Sequence, residues 1–198
     1  MPGLDEVLYY LTGVMLLLKQ KQDGFGWLDL TMRGFARSFW AIVWCLPAFA
    51  VIWASWRLYY LAGMPAETHA GLNFFMKLAF IDLVGWLLPL ALLVVLARPL
   101  GYGKYLATVV TASNWIAVPF AYAAAIPFAL TLVLPASATF SGLLLYVIFG
   151  ASVVLQFRLV WMCVGKQTLL AAAITAIFVL PPMIAGQELQ GLLGTLPA

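Results

Sequence analysis

The stretch FFMKLAFIDLVGWLLPLALLVVLA, residues 74–97, decides the fold class of this chain. Its only charges are Lys77 and Asp82, and its length crosses about 30 Å of hydrocarbon at about 1.5 Å per residue. Similar apolar stretches predict spans at 39–61, 74–97, 105–133, 141–163 and 167–185. Strict apolar/polar alternation is absent, and lipid forces backbone hydrogen bonds to close within each segment. The sequence therefore predicts an all-α, polytopic membrane protein with five transmembrane helices.

Composition points the same way and excludes other classes. The 198 residues are 65% hydrophobic and 9% charged, with a mean hydropathy of +1.04. A soluble domain could not bury that much apolar surface. The net charge of +3 does not indicate nucleic-acid binding, because the cations flank apolar spans and no basic run with interleaved aromatics occurs. We expect the lipid bilayer as the main partner and no nucleic acid.

The cations fall on alternating sides of the spans. The connections at residues 98–104, 134–138 and 164–166 are short, so we expect the spans that they join to form antiparallel helical hairpins. The first side carries Lys19, Lys21, Arg33, Arg37, Arg98, Lys104, Arg158 and Lys166, and the second carries Arg57 and Lys77. Because cytoplasmic loops are enriched in Lys and Arg, the first side is predicted to be cytoplasmic. The amino terminus is then cytoplasmic and the carboxyl terminus lies outside.

Residues 1–38 form a separate amphipathic segment before the helix bundle of residues 39–198. One predicted helical face carries Leu4, Val7, Leu8, Leu11, Val14, Met15 and Leu18. A break follows at residues 22–26, and Asp29 or Thr31 is a candidate cap for a helix that continues into the first span.

Two interpretations of this segment remain open. It could lie on the membrane surface and contact lipid or a partner. The contact residues would be Leu4, Leu8, Leu11, Met15, Trp27, Arg33 and Arg37. It could instead pack against the bundle and anchor the first span. The second interpretation is favoured, because the apolar face is short and carries few cations.

Asp82 is an ionisable residue within a predicted span, and such residues need a partner. Asp82 lies about 6 Å below the predicted outer boundary of the second span, by the rise of about 1.5 Å per residue. Arg57 lies at a similar depth in the antiparallel first span, so we predict that the two side chains pair. Such a pair could be a proton- or cation-binding site in a transport path, or a structural ion pair, and the structural pair is favoured.

The third span holds a cluster of polar residues. Thr111, Asn114, Val118, Ala121 and Ala125 share one face of small or polar side chains, and Asn114 is placed near the bilayer centre. Such a face lets a neighbouring helix approach closely and bond to the amide. The alternative is a substrate-lining helix whose prolines expose backbone carbonyls. Packing is favoured.

No pattern indicates a metal, a cofactor or an enzyme. Glu67 and His69 are too few ligands for a zinc site. Cys45 and Cys163 are placed toward the reducing side, so we expect free thiols. The sequence also lacks a nucleophile with a histidine at the same depth, paired intramembrane carboxylates and a glycine-rich phosphate loop.

The span pattern resembles the Yip family of five-span membrane proteins and its bacterial members. The resemblance rests on WLDLT at residues 27–31, GFARSF at 34–39 and the Leu46-Pro47 pair at the entry to the first span. The proline-bearing third span and the tight hairpin between spans four and five are similar too. The resemblance implies a bacterial cytoplasmic membrane protein. Eukaryotic members are linked to small-GTPase membrane trafficking, but the resemblance assigns no function to individual residues.

These observations favour a non-enzymatic structural or interaction component of a bacterial cytoplasmic membrane. Its partner would be another membrane protein or a second copy of the chain. The alternative is a small transporter or channel that uses Asp82, Arg57 and Asn114. A water-accessible cavity that reaches Asp82 and Asn114 would favour transport. A packed interior with an exposed amino-terminal apolar face would favour interaction.

Overall fold

A computed structural model describes residues 2–196, and the described chain is 82% helical with no strands. Residues 1, 197 and 198, at the ends of the predicted regions 1–38 and 39–198, lie outside the described residues. The α-helices are α1 (Leu4–Leu18), α2 (Met32–Ser38), α3 (Ala41–Ala62), α4 (Leu72–Leu96), α5 (Leu106–Val133), α6 (Ala138–Cys163) and α7 (Thr168–Leu192). Short 3₁₀ turns lie at Gln22–Trp27, Gly103–Tyr105 and Pro135–Ser137.

Five helical stretches are long and apolar enough to cross a membrane. They are Met32–Ala62, which joins α2 and α3, Leu72–Leu96, Gly103–Val133, Pro135–Cys163 and Thr168–Leu192. The all-helical class and the five long apolar helices are therefore confirmed. We call the end with connections 97–105 and 164–167 the inner end, and the end with connections 63–71 and 134–137 the outer end.

The helix boundaries agree with the predicted spans within three residues, except at the end of α7. The predicted fifth span stops at residue 185, whereas α7 continues to Leu192. The helix continues because Gln187, Glu188, Leu189 and Gln190 include strong helix formers, and polarity ends a hydrophobic span without ending a helix.

The predicted hairpin between the second and third spans is wrong, whereas the predicted hairpins between spans three and four and between spans four and five are confirmed. α5 packs on α6 and α6 on α7, but α3 packs along α5 and α4 along α7. The backbones of α3 and α4 approach each other little, as do those of α4 and α5. One cause is the small-residue face of α5, where Ala121 and Ala125 are buried and allow close approach of α3.

Residues 4–27 form a compact N-terminal hairpin, defined as α1 and the turn Gln22–Trp27 packed back on it. The predicted break after α1 is confirmed. Gly13 and Gly24 allow the contact, since a Cβ on Gly24 would lie 2.6 Å from the Gly13 carbonyl oxygen. Larger side chains would therefore force the two segments apart.

Of the two predicted caps, Asp29 and Thr31, Thr31 is the N-cap of α2. Its hydroxyl oxygen accepts a hydrogen bond from the Gly34 amide at 3.2 Å, and Asp29 accepts bonds from the Thr31 amide and hydroxyl. This bonding lowers the pKa of Asp29, chiefly through the Thr31 hydroxyl. α2 does not run unbroken into the first span, because a turn at Phe39 and Trp40 separates it from α3.

Candidate functional site

α1 packs on the inner half of α5 and α6, which agrees with the favoured interpretation of the amino-terminal segment. Val7, Val14 and Leu17 are buried in the main core. The Tyr10 ring stacks on Trp115 of α5, with the ring centroids 4.7 Å apart. α1 is therefore part of the helix bundle over most of its length.

The predicted apolar face of α1 is divided between the bundle and the surface. Leu4, Leu8 and Met15 belong to the same predicted set as the buried valines, yet they are 58%, 52% and 51% exposed. Leu11 is partly buried against the core. α1 is apolar around most of its circumference, so bundle packing covers one side and leaves a second apolar surface open.

The remaining predicted contact residues divide between surface and interior. Arg33 is exposed, and Trp27 is 36% exposed with its ring packed on Tyr9 at 4.6 Å. Arg37 is instead bonded within the chain, because its guanidinium lies 2.6 Å from the Glu6 carboxylate. This is the one salt bridge among residues 2–196.

Glu6 also accepts a hydrogen bond from the Tyr10 hydroxyl at 2.7 Å. Burial, with the Glu6 hydrogen bond as the next cause, raises the pKa of Tyr10 to about 12. The phenol is therefore neutral at every physiological pH. Glu6, Tyr10 and Arg37 together fasten the start of α1 to α2.

The predicted pair of Asp82 and Arg57 is wrong. The Asp82 carboxylate accepts a hydrogen bond from the Trp53 indole N–H at 2.6 Å. The Arg57 Nε donates to the main-chain carbonyl of Ala70 at 2.7 Å. The physical reason is that neutral partners, an indole on α3 and a carbonyl in the 63–71 connection, lie within reach of each group.

Other outer-end donors also bond to the main chain. Lys77 Nζ donates to the Leu193 carbonyl at 2.7 Å, and the Trp56 indole donates to the Thr195 carbonyl at 3.2 Å. Both carbonyls follow the last turn of α7, where unsatisfied carbonyl groups and the helix dipole favour a cation. No pattern in the sequence predicts these contacts.

Asn114 lies on a buried face, as predicted, and it forms a side-chain bond. Its Nδ2 donates to the Ser38 hydroxyl at 2.9 Å. Because Ser38 precedes the first predicted span, Asn114 lies closer to the inner end than the predicted bilayer centre. Thr111, on the same face, has a buried hydroxyl without a partner among the described residues.

A cavity of about 280 Å³ lies beside Asn114, between α4 and α7 on one side and α5 and α6 on the other. We call it the interhelical cleft. Its polar lining residues are Ser113, Asn114, Ser152 and Gln156, and its aromatic ones are Trp86, Phe120, Phe149 and Phe178. Neither Asp82 nor Arg57 lines it. Of the three predicted transport residues, the fold brings only Asn114 to a cavity.

Gln156 lines the cleft and is not among the predicted site residues. Its Nε2 donates to the Ser113 hydroxyl of α5 at 2.8 Å, and the residue is 7% exposed. The sequence signal for this residue is an amide side chain in a mostly apolar helix, one turn from Ser152.

Cys45 and Cys163 are free and buried, as expected for thiols. No group of three or more potential metal ligands occurs among residues 2–196. No protein-family model, curated protein or solved structure matches the chain. The resemblance to the Yip family therefore remains a prediction.

Proposed function

We propose that the chain is a multi-pass protein of a bacterial cytoplasmic membrane, with its amino end cytoplasmic and its carboxyl end periplasmic. Five long apolar helices support membrane insertion. Arg98, Lys104 and Lys166 belong to the inner-end connections, whereas Arg57 and Lys77 lie toward the outer end. This asymmetry favours a cytoplasmic inner end.

We propose a non-enzymatic role as an interaction component, with α1 as the contact surface. The observation that carries this proposal is the second apolar surface of α1, formed by Leu4, Leu8 and Met15. All three are more than half exposed although α1 already packs on the bundle through Val7, Val14 and Leu17. They suit contact with lipid together with a membrane protein, either a different one or a second copy.

Membership of the Yip family is part of the same proposal. Its support is architectural: an amino-terminal segment precedes five long apolar helices, and a short connection joins α6 to α7. The proline-bearing α5 fits the resemblance as well.

The second candidate function is a small transporter or channel. The observation in its favour is the interhelical cleft, which reaches Asn114 within the bundle. Flux through reconstituted protein that is lost in Asn114→Leu but kept in Asp82→Asn would support this candidate. Equal leakage with and without the protein would exclude it.

Site-specific photo-crosslinking tests the interaction proposal. A photoreactive phenylalanine analogue is placed at Leu8 in cells, and separately at Leu143, a matched control that is 63% exposed on the bundle. The proposal predicts a discrete protein adduct from position 8 that disappears in Leu4→Ser/Met15→Ser, with lipid adducts alone from position 143. Lipid adducts alone from both positions would overturn it.

A further inference from the structure

The interhelical cleft has walls of a kind that suits a hydrocarbon chain. Trp86, Phe120, Phe149 and Phe178 come from four different helices and face a cavity of about 280 Å³. This volume lies near the small end of the range of ligand sites, about 300–1,000 Å³, so it accommodates one chain rather than two.

Polar groups concentrate at one end of the cleft. Asn114 lies on the third turn of α5 from the inner end, and Gln156 lies two turns from the inner end of α6. Phe149 and Met183 line the cleft deeper toward the outer end. The cleft is therefore amphipathic along its length, with a polar inner end and an apolar outer end.

The hydrogen-bonding pattern leaves two acceptors unused at the polar end. The Ser38 hydroxyl donates to the Phe35 carbonyl at 2.7 Å, so it can only accept from Asn114, which fixes the amide nitrogen of Asn114 toward Ser38. Gln156 likewise uses its amide nitrogen on Ser113.

The Oδ1 of Asn114 and the Oε1 of Gln156 accept no hydrogen bond within the described chain. Fully enclosed polar atoms without a hydrogen-bond partner also occur in the described chain, but they belong to Trp44, Thr111, Arg158 and Thr175. The residues Asn114 and Gln156 are only 1% and 7% exposed. Two buried amides thus retain free oxygens beside a cavity, and a buried acceptor without a donor costs free energy.

We propose that the interhelical cleft binds a single-chain, uncharged amphiphile with a hydroxyl head, such as a long-chain alcohol. The hydroxyl donates to the free amide oxygens of Asn114 or Gln156, and the chain lies between the aromatic walls. The cleft has no charged lining residue. An ionised carboxylate or phosphate would therefore lose its hydration without gaining a counter-ion, which disfavours fatty acids and phospholipid headgroups.

A photoaffinity comparison tests this proposal on the full chain in phosphatidylcholine vesicles at pH 9. The probes are a diazirine-bearing hexadecanol and the carboxylic acid of the same length, and labelled peptides are located by mass spectrometry. The expected result is saturable labelling of α5 and α6 near Phe120 and Phe149 by the alcohol, and at least fivefold weaker labelling by the acid.

Matched variants separate cleft binding from ordinary lipid contact. Gln156→Leu should weaken alcohol labelling by about fivefold, as expected for one lost hydrogen bond, whereas Gln187→Leu on the exposed part of α7 should not change it. Gly85→Leu should abolish labelling without altering the polar groups, since a Cβ on Gly85 meets only the Pro182 Cβ at 4.0 Å and so leaves room to fill the cleft.

Each variant is first checked for an unchanged unfolding midpoint. If Gln156→Leu fails to fold, labelling of Gly85→Leu decides the test. Labelling that does not saturate, that is equal for alcohol and acid, or that survives Gly85→Leu would overturn the proposal. The crosslinking test at Leu8 does not depend on the cleft, so failure here and failure of the interaction proposal are distinguishable.

Discussion

The cations of the outer end and the buried amides of the inner half bond to different kinds of partner. At the outer end, Arg57 and Lys77 donate to main-chain carbonyls, those of Ala70 and Leu193. In the inner half, Asn114 and Gln156 donate to the hydroxyl groups of Ser38 and Ser113, and all four side chains are buried. The outer-end cations therefore depend on the course of the backbone, whereas the buried amides depend on particular residue pairs, as Asp82 does with Trp53 at the outer end.

The largest effect on stability is expected at Gly24, where the N-terminal hairpin leaves no room for a side chain. Gly24→Val should lower the free energy of unfolding by about 2 kcal/mol or more, because the side chain would collide with the Gly13 carbonyl and with Leu17. Gly26→Val is the matched control in the same turn, since nothing lies within 4 Å of its Cβ. Denaturant titration in detergent measures both, and equal stability of the two variants would contradict the close contact.

The next largest effect on stability concerns the hydrogen bond between the enclosed side chains of Ser38 and Asn114. A double-mutant cycle with Ser38→Ala and Asn114→Ala should give a coupling energy of about 1 kcal/mol, which is the scale of hydrogen bonds between membrane helices. Ser152→Ala, at a hydroxyl with no bond in the described chain, serves as the control. Additive single effects would show that the two groups do not bond.

Two cycles at the outer end test the corrected partner of Asp82. Trp53→Phe combined with Asp82→Leu should show coupling of about 1 kcal/mol, because the indole bonds the carboxylate at 2.6 Å. Arg57→Met combined with Asp82→Leu should show coupling below about 0.3 kcal/mol, the limit of additivity for independent sites. A larger coupling between Arg57 and Asp82 than between Trp53 and Asp82 would instead support the predicted ion pair.

A smaller effect is expected from the cation at the end of α7. Lys77→Met should destabilise the last turn of α7 by about 0.5 kcal/mol, because the ammonium bonds the Leu193 carbonyl at the negative end of the helix dipole. Hydrogen exchange of the last α7 amides should accelerate about twofold. Lys21→Met, which lies far from this end, should leave those amides unchanged.

Hydropathy predicted the long helices because span length and helix formation in lipid depend on composition over some twenty residues. The same reasoning placed the buried face of α5 and the break after α1. These features follow from local sequence, and they are insensitive to which helix packs on which.

Partner choice was less predictable. Charge matching selected Arg57 for Asp82, yet a main-chain carbonyl and an indole were nearer, and neither leaves a charge signal in the sequence. The interhelical cleft was also hidden, because it arises where α4 packs with α7 instead of its chain neighbours. Gln156 becomes a candidate only once that packing is known.

Cysteine labelling tests most directly the orientation of the first span, on which the proposed threading depends. In a Cys45→Ala/Cys163→Ala background, Asp23→Cys and Glu67→Cys place single thiols at exposed positions in the N-terminal hairpin and in the 63–71 connection. In intact cells, a membrane-impermeant maleimide should modify the cysteine at position 67 and spare the one at position 23 until the membrane is opened. Modification of both positions from outside, or of position 23 alone, would contradict the threading.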